Sequence, residues 1–149
     1  MAKRTVKGGR TDRKTRRESI SGMDRKIPRE TERGDARARD RALVAARCAV
    51  DNQAQDILLL DVRALTDLFD YFVVATGRSG RQLRAIADEI EEVLLRDFQE
   101  KRRSVSGYSD SRWIVLDYGD IMVNLFDPQS RSFYRLEDLW ADAQRVPLS

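Results

Sequence analysis

Trp113-Ile114-Val115-Leu116-Asp117-Tyr118-Gly119-Asp120-Ile121-Met122-Val123-Asn124-Leu125-Phe126 reads as two β-rich runs on either side of Gly119-Asp120. A two-residue loop of that chemistry closes a β-hairpin. The loop sets the register: Tyr118 opposes Ile121, Asp117 opposes Met122, Leu116 opposes Val123, Val115 opposes Asn124, Ile114 opposes Leu125 and Trp113 opposes Phe126. Because side chains alternate across a strand, one face then carries Ile114, Leu116, Tyr118, Ile121, Val123 and Leu125, which is a core face. The other carries Trp113, Val115, Asp117, Met122, Asn124 and Phe126. Aromatic and Met side chains interrupted by polar groups are the mixture found where a surface meets a partner.

Upstream of the hairpin, residues 55–62 and 70–76 each hold a continuous apolar run, the pattern of strands covered on both faces. Residues 63–69 between them are too few for a crossover helix and predict a turn with a short helical piece. Ser79 followed by Gln82 has the form of a capping box. It opens a helix whose stripe is Leu83, Ile86, Ala87, Ile90, Val93, Leu94 and Phe98, with Lys101, Arg102 and Arg103 favouring the negative end of its dipole. An earlier Ala-rich helix is predicted over about 40–51, with Leu43, Ala46 and Val50 on its stripe and Asp35 or Asp40 as its cap. Residues 104–111 predict a loop or a short irregular strand. Beyond the hairpin, Asp127-Pro128 ends the strand, and Leu136, Leu139, Trp140 and Ala143 give the stripe of a last short helix. The order helix, strand, strand, helix, hairpin, helix predicts an α/β domain with a single mixed β-sheet and flanking helices, the long helix making a right-handed crossover.

Charge divides the 149 residues more sharply than the net +3 suggests. Residues 1–41 hold 15 Lys and Arg against 7 acids, and residues 42–149 hold 13 against 18. The chain is a basic arm on an acidic body. Only 8 of the first 41 residues are apolar, too few to offset the entropy of ordering them, so residues 1–39 are expected to be disordered and 40–149 to form the domain. The arm lacks the apolar stretch of a secretory signal, and its acids argue against an organelle transit peptide. No run approaches the ~18 apolar residues of a membrane span. A single Cys, Cys48, has no intrachain partner, which predicts a reducing, cytoplasmic setting.

The absence of His from the sequence excludes His general bases, catalytic triads and His-containing zinc sites. The loop at residues 77–80, bounded by Gly77 and Gly80 and flanked by Arg78 and Arg81, leads from a buried strand to a helix N-terminus, where a phosphate can bind. Neither a P-loop ending nor a full G-x-G-x-x-G accompanies it, and short glycine loops at such junctions are common for packing reasons alone. A nucleotidyltransferase-class enzyme using that loop would need two or three carboxylates converging on metal ions. Asp117 and Asp120 are the close acidic pair near the hairpin, one on the strand and one in the turn, with no third ligand in the pattern. The expectation is therefore no catalytic residue, no metal and no cofactor. Asp61 and Asp70, at strand ends, read as turn caps, and Cys48 as a small core residue. The basic arm has no aromatics to stack on bases, so nonspecific rRNA contact through phosphates is the most it supports.

Five motifs in order and spacing carry a resemblance. They are Leu60-Asp61-Val62, the run from Asp70 to Gly77, Ala85-Ile86-Ala87-Asp88, the run from Trp113 to Asp120, and Tyr134-x-Leu136-Glu137-x-Leu139-Trp140-x-Asp142-Ala143. Over about residues 40–143 the chain resembles the ribosomal silencing factor family, RsfS or Iojap. The resemblance implies a nucleotidyltransferase-like fold without catalytic residues. It also implies docking on ribosomal protein fourteen of the large ribosomal subunit, which blocks joining of the small and large subunits and represses translation. The resemblance further implies a capacity to self-associate, a homodimer being the simplest form. On that reading Trp113, Val115, Met122 and Phe126 form the apolar part of the partner-binding face, and Asp117, Asp120 and Asn124 its polar points. The chain departs from the family pattern at Asn124, where His is usual, and at Phe69, where Thr is frequent. Asn124 still donates and accepts hydrogen bonds but cannot titrate. The stretch from Ser106 to Arg112 replaces a Gly-rich acidic loop.

Overall fold

In the computed structural model, which describes residues 30–148, the hairpin forms in the expected register. Strand β4 (Trp113–Asp117) pairs antiparallel with β5 (Ile121–Phe126), from Trp113 opposite Phe126 to Asp117 opposite Met122. Tyr118 N–H donates to the Ile121 carbonyl at 3.0 Å and closes the two-residue loop. Gly119, at φ +89°, supplies the positive φ that the first position of a type II′ turn requires.

The other strands are β1 (Gln55–Asp61), β2 (Tyr71–Thr76), β3 (Ser104–Ser106) and β6 (Gln144–Arg145). All six join one sheet in the order β3-β4-β5-β2-β1-β6. The central pair, β2 and β5, is parallel and the other neighbouring pairs are antiparallel, so the sheet is mixed. Every residue of β2 is buried, as its unbroken apolar run predicts.

Helix α1 (Glu30–Asp51), from Ala38 onward, and helix α2 (Gly80–Phe98) cover one face of the sheet, over the core side of the hairpin. In α2 the Ser79 side chain accepts from Gln82 N–H at 3.1 Å, while Gln82 Oε1 accepts from Arg78 N–H at 2.6 Å, one residue ahead of the cap. Its buried stripe is Leu83, Ile86, Ala87, Ile90 and Leu94. Val93 and Phe98 pack at the margin. On the opposite face lie α3 (Pro128–Tyr134) and a 3₁₀ turn (Leu136–Trp140).

Several expectations are corrected. Helix α1 begins at Glu30 rather than near Asp40, so residues 30–39, read as part of the arm, are helical, and Asp35 and Asp40 lie inside the helix instead of capping it. The compact unit starts at Ala38. The remainder of the arm, residues 1–29, lies outside the described residues. The buried face of α1 is Ala38, Ala42, Ala45, Ala46 and Ala49, with Cys48, while Val50 is 47% exposed. Small side chains let the helix backbone come close to the sheet, and the larger Val is left outside that contact. Residues 63–69 hold one hydrogen-bonded turn, with Leu65 and Thr66 N–H donating to the Val62 carbonyl, and no helix. The last helix is two pieces: α3, started by Pro128, precedes a 3₁₀ turn that buries Leu136 and Trp140 partly and leaves Leu139 71% exposed.

Candidate functional site

The hairpin side chains that face away from α1 and α2 do not form one flat exposed patch. Trp113, Val115, Asp117 and Met122 are half-buried, whereas Asn124 and Phe126 are buried. Phe126, expected at the surface, lies beneath Trp113, whose ring stacks on it at 5.0 Å between centroids and 25° between planes. Two aromatics on directly opposed positions of an antiparallel pair stack in this way.

Helix α3 completes the cover. Asp127 caps it, its Oδ1 accepting from Ser130 N–H at 2.7 Å, and Pro128 sits in its first turn, where the missing N–H costs nothing. Arg131, nearly buried, donates from Nη1 to Thr76 Oγ1 at 2.8 Å and from Nε to the Glu137 carboxylate, which ties α3 to the end of β2 and to the 3₁₀ turn. That anchoring places Tyr134 at 4.8 Å from the Trp113 ring, with Phe133 edge-on to Tyr134 at 5.0 Å. Phe133 is 77% exposed and Tyr134 51%. The result is an aromatic ridge of Trp113, Tyr134 and Phe133. Residue-by-residue reading misses Phe133 and Tyr134 because Asp127-Pro128 signals there only the end of a strand, although the same Asp-Pro pair is also an N-cap and N1 signature.

Each polar point has a partner or a fixed place. Trp113 Nε1–H donates to Asn124 Oδ1 at 3.1 Å. Asp117 Oδ1 accepts from Gly119 N–H at 2.8 Å, bracing the turn while the rest of the side chain stays half-exposed. Asp120 points to the other side of the sheet and forms an ion pair with Arg41 of α1, whose side chain is 3% exposed. The Asp120 carbonyl also accepts from Asp70 and Tyr71 N–H at 2.8 and 3.2 Å. Asp117 and Asp120 therefore do not converge. Asp61 accepts from Arg63 through backbone and side chain, at 2.7 to 3.0 Å. Burial raises its pKa, but those bonds outweigh burial and hold the carboxyl below its ordinary 3.8.

A second aromatic group fills the rest of this face: Phe69, Phe72 and Trp140 lie 5.7 to 5.8 Å apart over Leu60, Val62 and Val74. The glycines of the 77–80 loop are accounted for by packing. A Cβ on Gly77 would meet Leu83 Cδ2 at 2.6 Å, and one on Gly80 would meet Ser111 Cβ at 2.9 Å. A groove of about 560 Å³ is lined by Asp56, Ile57, Leu58, Arg131, Ser132, Arg135 and Glu137, none of them from that loop. Cys48 is buried, its thiol pushed up to about 12 chiefly by burial, which removes the thiolate needed of a nucleophile.

The sequence profile of a family described as "Ribosomal silencing factor during starvation" matches residues 35–149. This chain belongs to the ribosomal silencing factor family. It is 37% identical over 105 residues to the ribosomal silencing factor RsfS of Bacillus subtilis, covering 70% of this chain and 88% of that protein. It is 34% identical over 117 residues to the chloroplastic protein Iojap of Zea mays, covering 76% of this chain and 49% of that protein. In three dimensions it is similar to the crystal structure of a Chromobacterium violaceum protein, with a TM-score of 0.65, 31% identity, and coverage of 73% of this chain and 89% of the other. The family's description is that of a regulator. Among its described residues, this member has no helix long and apolar enough to cross a membrane.

Proposed function

We propose that this family member is a non-enzymatic translation repressor of the cytoplasm that docks on the large ribosomal subunit, at ribosomal protein fourteen, and blocks joining of the subunits by occupying the surface. The observation that carries the reading is the aromatic ridge of Trp113, Tyr134 and Phe133, held rigid by Phe126 beneath and Arg131 behind, with Val115, Met122 and Asp117 beside it on β4 and β5. Rigid aromatic anchors surrounded by half-buried apolar and polar groups are the composition of interface hot spots. The acidic balance of residues 42–149 steers the body toward a basic partner, which raises the association rate at low salt more than the final affinity. An enzymatic reading gains nothing from the site, since the glycines of the 77–80 loop serve packing and the two hairpin carboxylates face apart.

A subunit-joining assay on sucrose gradients tests the proposal. Trp113→Ala should weaken binding to purified large subunits by about 2 kcal/mol and shift the inhibition curve by more than tenfold in concentration, with the fold retained. A folded Trp113→Ala protein that inhibits at wild-type concentrations would place docking somewhere other than on this face.

A further inference from the structure

Asn124 sits on β5 between Val123 and Leu125, is 2% exposed, and pairs across the sheet with Val115 on one side and Val74 on the other. An amide among these neighbours is expensive unless it makes a hydrogen bond. It makes one: Oδ1 accepts from the Trp113 indole at 3.1 Å, while Nδ2 is buried with no partner among the described residues. Burial of Asn124 removes it from the set of side chains a partner can touch. Its chemistry is spent on Trp113 alone. The Phe126 and Tyr134 rings, 5.0 and 4.8 Å from the indole, hold it by ring contact that is weakly directional, and the bond to Asn124 fixes which way its Nε1 edge faces.

We infer that Asn124 is a positioning residue that locks the Trp113 indole in its docking orientation, and that the indole, its only polar atom satisfied within the chain, meets its partner through ring carbon. The inference rests on the docking reading of the hairpin face. The partner group opposite Trp113 is then apolar or a cation lying against the ring, and not a hydrogen-bond acceptor for Nε1. Preorganisation of the anchor lowers the entropy lost on binding, so its removal weakens affinity without removing any contact atom.

The test combines Asn124→Leu, Trp113→Phe and their double variant in the full chain, with binding to purified large subunits and the indole N–H exchange rate of Trp113 as readouts, Trp140 serving as reference in the same spectrum. Leu keeps the heavy-atom count and branching of Asn and removes the unpartnered Nδ2, so the thermal midpoint should stay close to that of the wild type. The expected result for Asn124→Leu is faster exchange at Trp113 but not at Trp140, with a five- to tenfold loss of affinity, about the worth of one hydrogen bond. Trp113→Phe deletes the same bond from the other side, so the double variant should bind no more weakly than Trp113→Phe alone. If Asn124→Leu unfolds, Asn124→Ser, too short to reach the indole, takes its place with the same expectations. Wild-type affinity despite fast indole exchange would overturn the inference and leave the docking face standing. Unchanged exchange, or additive losses in the double variant, would overturn it as well. Full affinity of both Trp113→Phe and Trp113→Ala would instead remove the docking reading itself.

Discussion

Burial decides what individual residues can do here, and Cys48 and Tyr118 make that measurable. The Cys48 thiol is raised from its ordinary 9.0 to about 12, by burial first and the Glu89 carboxylate next, and Tyr118 from 10.0 to about 12, again by burial. Both groups fold best when neutral. Their contribution is complete below the unfolded values and is lost as pH rises toward about 12, because the unfolded chain ionises first. Denaturant midpoints should therefore decline from pH 9 upward and more steeply above pH 10, and Cys48→Ala should move the onset toward the Tyr118 window. Alkylation at neutral pH should label Cys48 only in denaturant. Rapid labelling of the native protein would show that the Ala-rich face of α1 opens far more readily than its packing implies.

Between elements, the Arg41–Asp120 pair joins α1 to the hairpin turn, and it gives the two hairpin carboxylates different work. Asp120→Asn leaves the buried guanidinium without a counter-charge, and Arg41 Nε and Nη1 already have no partner among the described residues. With Asp120 about one-third exposed, solvent offsets part of the loss, and destabilisation of about 2–3 kcal/mol is expected in urea titrations. Asp117→Asn keeps an acceptor for Gly119 N–H, so its stability should change by under about 0.5 kcal/mol while association with the large subunit slows at low ionic strength. An Asp120→Asn protein as stable as wild type would remove the clamp from the account of the hairpin. A second element-level dependence runs through Arg131: by holding α3 against Thr76 it keeps Tyr134 beside Trp113, so the ridge is a product of two elements brought together.

At the scale of the whole molecule, the uneven charge predicts a division of labour. Residues 1–29 carry 11 Lys and Arg against 3 acids, and α1 starts after them. Deleting residues 1–29 should leave the thermal midpoint unchanged and flatten the dependence of ribosome binding on salt, because fewer counterions are released from rRNA. A lowered midpoint would mean that the arm packs on the domain. The salt slope of the remaining body should have the opposite origin, attraction between its acids and a basic protein surface.

Period and turn chemistry alone determined the hairpin pairing, the split of its side chains between two faces, the buried β2 run and the stripe of α2, because these depend on alternation, on 3.6-residue spacing and on a two-residue loop, all local in the chain. Tertiary structure decided which of the six outward hairpin residues reach solvent. Phe126 and Asn124 share a face with Trp113 and Met122, yet Phe126 lies against the rings of Trp113 and of Tyr134 from α3 and Asn124 is buried beside the Trp113 indole, and no local pattern encodes what a later helix will cover. The same holds for Asp120, whose charge was legible in the sequence and whose use was not: its partner Arg41 lies 79 residues away, and only the packing of α1 on the sheet brings the two together. Sequence-local forces set faces and registers. Contacts between distant segments decide which of those groups remain free to meet anything else.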